Sequence, residues 1–300
     1  MLHIASLICD PKKPVLDDGL LSRMAVALPA AGLPEWLAQG IAADIPFVPA
    51  GADFAAVSAE ARAALGTAPI DLNLVPAEGR RKKLLLADMD STMIEQECID
   101  ELADLIGKKD FVAAITERSM RGEIEIEPAL IERVALMKGI SLRQIQELIA
   151  ERLTLTPGAQ TLIATMRAHG AHTVLVSGGF TLFTGPIAER IGFDEHRGNV
   201  LELDGDRLSG TLARPILGRA GKREALTGLR EKLGLKSTET LAVGDGANDL
   251  DMLAEAGLGV AFRAKPVVAD AAHAGIEHGD LTAVLYLQGY KQGQFSGTRR

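Results

Sequence analysis

Two aspartates two residues apart, in the run Asp88-Met89-Asp90-Ser91-Thr92, directly follow the apolar stretch Leu84-Leu85-Leu86-Ala87. Carboxylates held that close repel unless a proton or a cation sits between them. A hard cation bound by oxygen ligands, such as magnesium, resolves the repulsion. In that arrangement Asp88 holds the metal through one oxygen and attacks phosphorus with the other, since a carboxylate can serve as a nucleophile. Asp90 gives its backbone carbonyl to the metal and its side chain to proton transfer. It acts first as an acid toward a departing alkoxide and then as a base toward water. The same pattern at a strand end also suits a capped turn, so its companions decide between the two.

Three further groups supply them. Ser177-Gly178-Gly179-Phe180 follows the apolar run Thr173-Val174-Leu175-Val176, and a hydroxyl with unhindered backbone N–H groups forms a phosphate cradle there. Alone it reads more readily as a plain glycine turn. Lys222, after Ala220-Gly221, can neutralise phosphoryl oxygens and the Asp88 carboxylate; without companions it is a surface lysine. The nucleotide-binding glycine loop is excluded, because its earlier glycine is Ile216 and Arg223 replaces its Ser/Thr. Last comes Val243-Gly244-Asp245-Gly246-Ala247-Asn248-Asp249, with two carboxylates four apart flanking a flexible turn. Asp245 reads as a metal ligand, and Asp249 holds a metal-bound water or orients Lys222.

These residues need elements that deliver them to one place. The apolar runs 84–87, 173–176, 241–243 and 259–262 are short and bounded by turn residues, as buried parallel strands are. Helical patterns at 159–169, 182–191, 222–233 and 249–256 alternate with them. The expectation is an α/β fold: a doubly wound, Rossmann-type parallel sheet with ligands at the carboxyl ends of its strands. Residues 94–153 break the alternation with helices at 94–106, 110–119, 128–137 and 142–152. Pro128 suits a first turn, and Ser141 with Gln144 makes a capping box. This insert after the first strand reads as a helical cap. Residues 1–79 form a small N-terminal α+β domain, with strands at 2–9 and 71–74 and helices at 20–28 and 54–65. Residues 76–80 read as a linker. The division is thus 1–79, a core of 80–93 and 154–290, a cap of 94–153, and a tail of 291–300.

Together, the motifs at 88–92, 177–179, 222 and 244–249 resemble the four motifs of the haloacid dehalogenase superfamily, over about residues 83–287. The resemblance implies Mg²⁺ at Asp88, the Asp90 carbonyl and Asp245, with Asp88 as nucleophile and Asp90 as proton donor. It implies that Ser177, Gly178 and Lys222 hold the phosphoryl group, with Gly179 and Asp249 in support, and that Asn248 contacts substrate. In the cap, Glu97 matches the family's acid for a substrate amine and Arg133 its arginine for a substrate carboxylate. An acid and a guanidinium form a clamp for a zwitterionic head group, and the substrate implied is O-phospho-L-serine. Ser119-Met120-Arg121-Gly122-Glu123 also matches the family's cap, whereas Ile126 stands where Phe is frequent. Residues 1–79 resemble an ACT-like domain; sensing an amino acid, forming a homodimer and plain packing all stay open. Rival readings are another phosphomonoester or a phosphotransfer acceptor, and a phospho-accepting signalling or amino-acid-sensing module.

Composition bounds the rest. Of 300 residues, 47% are hydrophobic and 24% charged, as in soluble globular proteins. Two distant cysteines, Cys9 and Cys98, make no disulfide framework or CxxC zinc site and fit a reducing cytoplasm. A net charge of −8 argues against a nucleic-acid partner. The one basic run, Arg80-Arg81-Lys82-Lys83, reads as solvated linker. No apolar stretch spans a bilayer, and the N-terminus lacks the pattern of a signal peptide, so a cytoplasmic protein without a membrane partner is expected. Asp204-Gly205-Asp206 resembles a calcium loop, but Leu208 and Pro215 stand where oxygen ligands belong, so a hairpin turn is expected.

Overall fold

The structure, a computed structural model, describes residues 1–49, 51, 53–120 and 123–297, without the side chains of 117, 119, 120 and 126. Its first unit runs β1 (His3–Cys9), α1 (Asp18–Ala27), β2 (Glu35–Ala38), β3 (Ala42–Phe47), α2 (Phe54–Leu65) and β4 (Ile70–Pro76). The strands form an antiparallel sheet in the order β2-β3-β1-β4. This βαββαβ succession is ferredoxin-like and consistent with an ACT-like domain. Asp17 and Asp53 start the two helices by accepting the N–H groups of Leu20 and Ala55. Side chains alternate across a strand, which gives β1 two apolar faces. Ala5, Leu7 and Cys9 pack with Leu20, Met24 and Val57 under the helices. Ile4 and Ile8 point the other way, into the main core. The sequence reading missed β2 and β3, whose alternation is obscured by Glu35, Asp44 and Pro46.

The second unit begins with β5 (Leu84–Ala87), followed by the cap helices α3 (Cys98–Leu105), α4 (Lys109–Met120), α5 (Ile126–Leu136) and α6 (Leu142–Arg152). The chain then runs α7 (Ala159–Ala168), β6 (His172–Phe180), α8 (Thr181–Ile191) and β7 (Glu195–Asn199), and β8 (Leu201–Asp204) and β9 (Arg207–Leu212) make the expected hairpin. It closes with α9 (Arg219–Lys232), β10 (Thr240–Gly244), α10 (Leu250–Glu255), β11 (Leu258–Phe262), α11 (Pro266–Ala269), β12 (Ala274–Ile276) and α12 (Ala283–Leu287). Six of these strands form a parallel sheet in the order β12-β11-β10-β5-β6-β7.

Both faces of that sheet are covered. Leu84, Leu86, Val174 and Ala242 pack with Leu226 and Leu229 of α9 and Met252 of α10. Leu85, Leu175, Leu241 and Val243 pack on the other side with Leu162, Phe183 and Leu285. Each of the larger of these side chains, Leu, Val, Met or Phe, contributes about 1.5–3 kcal/mol on full burial. The chain winds outward in opposite directions from β5 and β10, which opens a crevice at their carboxyl ends.

Three expectations need correction. The first cap helix begins at Cys98, not at residue 94. Residues 94–97 are extended because they pair with the returning chain: Ile94 bridges Leu155, Glu95 N–H donates to Thr154 O, and Gln96 exchanges side-chain hydrogen bonds with Thr154. The basic run at 80–83 is only partly solvated: Arg81 and Lys83 are exposed, but Arg80 and Lys82 turn inward, and Arg80 ties the two units together. Arg80 pairs with Asp44 at 2.6 Å and donates to the carbonyls of Tyr286 and Leu287. Arg81 lies 3.4 Å from the Tyr290 ring centre, and Lys82 donates to Gly79 O and Thr238 O. Finally, β7 and β12 escaped the sequence reading, the former because Glu195-His196-Arg197-Gly198-Asn199 is polar throughout. The cap match at 119–123 falls partly outside the described residues, as does the Ile126 side chain.

Beyond the run at 80–83, β4 meets the margin of the larger sheet. The Asn73 amide donates to Gly275 O (2.9 Å) and accepts from Gly275 N–H (2.8 Å), and the Asp71 carboxylate accepts the N–H groups of Glu277, His278 and Gly279. Cys9 and Cys98 are buried free thiols. No helix among the described residues is long and apolar enough to cross a membrane.

Candidate active site

The crevice between β5 and β10 gathers the acidic residues. The Asp88 N–H donates to Val243 O at 2.9 Å, which ties the ends of the two strands together. Asp245 follows β10 directly, and Asp249 lies one short turn later. Carboxylate oxygens of Asp88, Asp245 and Asp249 all lie within 4.8 Å of one another. Gly244 makes this approach feasible, since a Cβ there would stand 2.4 Å from Asp249 Cγ. Lys222, fully buried in the first turn of α9 rather than at its first residue, places Nζ 2.7 Å from Asp88 Oδ1 and 2.7 Å from Asp249 Oδ1.

The charges do not balance. Burial first, then Asp249, pushes the Asp88 carboxyl well above the ordinary range against the pull of Lys222. Burial and Asp249 push Asp245 up to about 6, against the hydrogen bond from Thr92. Burial alone would depress the Lys222 ammonium, but Asp88 and Asp249 outweigh it and hold it above its usual value. Three carboxylates facing one ammonium leave an excess of negative charge in a largely dry site. An oxygen-only donor set of this kind fits a hard divalent cation. The two oxygens of Asp249 are already engaged, by Lys222 and by Gly246 N–H at 3.1 Å.

Asp90 stands outside that trio. Its Oδ1 accepts Cys98 N–H at 2.8 Å, and its Oδ2 accepts the Ser177 hydroxyl at 3.0 Å. Ser177, Gly178 and Gly179 lie at the end of β6, just before α8 rather than within it. Gly179 N–H donates back to Ser177 Oγ at 2.8 Å, and a Cβ on Gly179 would be 3.0 Å from Asp90 Oδ2. The sequence motifs thus converge from the ends of β5, β6 and β10 and the start of α9.

The cap side contributes Glu97 and Arg133. Glu97 Oε1 accepts the Ser91 hydroxyl at 2.6 Å, with Ser91 held at φ 54°. Burial, then the charges of Asp90 and other neighbours including Asp245, push the Glu97 carboxyl up to about 7. Burial lowers the Arg133 guanidinium, while Asp100 and Glu97 pull it upward. Arg133 also donates to Ala129 O and Thr116 Oγ1. Carboxylate and guanidinium are thus close enough to feel each other's charge, with no direct ion pair between them among the described residues. Asn248 is half-buried beside Gly246.

Two functional-site contributors were not singled out by sequence reasoning. Thr92 donates its hydroxyl to Asp245 Oδ1 at 3.0 Å and so joins the loops after β5 and β10. It stands inside the first motif, so its hydroxyl was a usable signal. Asn199 bridges the segments that carry Ser177 and Lys222, and nothing in its polar surroundings marks it.

A model described as haloacid dehalogenase-like hydrolase matches residues 85–254. The phosphoserine phosphatase of Albidiferax ferrireducens is 46% identical over 210 residues, which cover 68% of this chain and 89% of that one. The phosphoserine phosphatase of Streptomyces coelicolor is 44% identical over 229 residues, covering 76% of this chain but 55% of the relative. Among solved structures, a hydrolase of the same family from Salmonella enterica serovar Typhi is similar with a TM-score of 0.85 at 27% identity, over 95% of this chain and 98% of that one.

Proposed function

The chain belongs to the haloacid dehalogenase-like hydrolases, and on that footing we propose that it hydrolyses O-phospho-L-serine to L-serine and phosphate, the closing step of serine synthesis. The observation that supports this reading is the meeting of Asp88, Asp245 and Lys222 with the Ser177–Asp90 pair, next to a loop in which Ser91 holds Glu97.

The division of labour follows from which atoms are engaged. Asp88 Oδ1 is held by Lys222 and by the Met89 N–H, so Oδ2 is the oxygen assigned to phosphorus. Attack by Oδ2 forms the Asp88–phosphorus bond and breaks the bond from phosphorus to the serine oxygen. Asp90 gives that oxygen its proton. It then takes a proton from the water that displaces Asp88, so both residues return to their starting states. Lys222 and the Ser177–Gly179 cradle hold the equatorial oxygens. Glu97 meets the substrate ammonium and Arg133 its carboxylate, and the cap excludes bulk water. The metal assigned is Mg²⁺, held by Asp88, the Asp90 carbonyl and Asp245 and supporting the phosphoryl charge. Asp249 keeps Lys222 and the 245–246 turn in place.

The test is phosphate release from a panel of phosphorylated metabolites, with Mg²⁺ and with chelator. Phosphoserine is expected to give the highest kcat/KM, and chelator to abolish turnover. A better substrate lacking either the amine or the carboxylate would overturn the assignment.

A further inference from the structure

We propose that Asn199 is a positioning residue for the reaction, its buried amide fixing the phosphate cradle and the helix of Lys222 against each other. The inference rests on the active-site reading above. The pairing of β6 with β7 slips between Val176 and Phe180, so Ser177, Gly178 and Gly179 have no register partner on β7. The Asn199 side chain, 2% exposed, takes over. Its Nδ2 donates to Gly178 O at 2.7 Å and to Leu217 O at 3.1 Å, and its Oδ1 accepts Leu217 N–H at 2.7 Å. Donor and acceptor ends of the amide are both in use.

Each bond has a consequence in the site. A peptide unit is planar, with its carbonyl and N–H on opposite edges. Holding Gly178 O therefore turns the N–H of Gly179 the other way, where it meets Ser177 Oγ at 2.8 Å. With that lone pair taken, the Ser177 hydroxyl sends its proton to Asp90 Oδ2. The second arm holds Leu217, next to Gly218, whose carbonyl accepts Lys222 N–H at 3.1 Å. One amide thus sets the direction of a hydroxyl and the starting point of the helix that presents the ammonium. Gly198 lets the strand come this close, since a Cβ there would stand 3.2 Å from Gly179 O. Aspartate would set a negative oxygen against two carbonyls, and alanine would leave Gly178 O and both Leu217 groups without their partner.

Asn199→Ala and Asn199→Asp in the full chain test this, beside Thr240→Val, which removes a buried hydroxyl bonded to Ser237 O and Gly257 N–H. The Asn199 variants should lose about 10- to 100-fold in kcat/KM, by the same factor for phosphoserine and for p-nitrophenyl phosphate. Their affinity for inorganic phosphate, read by calorimetry, should fall in parallel, while half-saturation by Mg²⁺ stays at the wild-type value. Folded Asn199 variants that keep wild-type kcat/KM and phosphate affinity would overturn the inference. So would the same losses in Thr240→Val at a matched melting temperature. A wild-type protein that turns over no phosphomonoester would instead refute the proposed function, and phosphate affinity would still decide the role of Asn199.

Discussion

Lys222 Nζ lies 2.7 Å from Asp88 Oδ1, so the lysine and the proposed nucleophile share one buried contact. Asp88→Asn keeps the shape of this pair but removes the oxygen that bonds phosphorus. Phosphate release is expected to fall by at least about 10³-fold, with an unchanged circular dichroism spectrum. Turnover near the wild-type rate would refute the nucleophile.

Arg133→Ala separates head-group recognition from chemistry. Truncating one partner of a desolvated charge pair costs about 2 kcal/mol or more, which corresponds to about a 30-fold rise in KM for phosphoserine. p-Nitrophenyl phosphate has no carboxylate for Arg133 to meet, so its KM should barely change. Equal effects on both substrates would remove the clamp from the account.

Glu97 gives the site a pH dependence of definite sign. Its carboxyl is pushed up to about 7 by burial and the neighbouring acids, so below that pH it is neutral and attracts an ammonium group less strongly. KM for phosphoserine should rise as pH falls through about 7. p-Nitrophenyl phosphate carries no amine and serves as the reference, and Glu97→Gln should raise KM at pH 8 and flatten its pH dependence. The same KM profile for both substrates in the wild-type protein would count against the role.

Metal binding should register in stability as well as in activity. A cation that binds only the folded protein stabilises it by about 2.7 kcal/mol at a hundred times its dissociation constant, or roughly 5 °C in melting temperature. Mg²⁺ should produce such a shift, chelator should reverse it, and Asp245→Asn should abolish it. A shift that persists in Asp245→Asn would move the cation elsewhere.

What the sequence disclosed, and what it hid, follows physical lines. The strands β5, β6, β10 and β11 were legible because both faces are buried, which forces continuous apolar runs, and their ends carry the site. The capping box at Ser141 and Gln144 was legible because its bonds are local. Residues whose role depends on a distant partner were not. Asn199 looks like loop polarity until Gly178 and Leu217 surround it, and Arg80 looks solvated until Asp44 and the end of α12 close over it. The extended segment at 94–97 hid for the same reason, since its partner at Thr154 and Leu155 lies some sixty residues away.

The contact of Asn73 with Gly275 bears on self-association. A strand lying outermost offers unpaired amides and carbonyls as a template for another molecule, the geometry that seeds cross-β aggregates. At β12 an asparagine from the N-terminal unit occupies those groups with a side chain that cannot propagate a ladder. Shorn of residues 1–79, the catalytic unit would bare both that strand and the apolar patch beneath Ile4 and Ile8, and its solubility would fall even with every catalytic group intact.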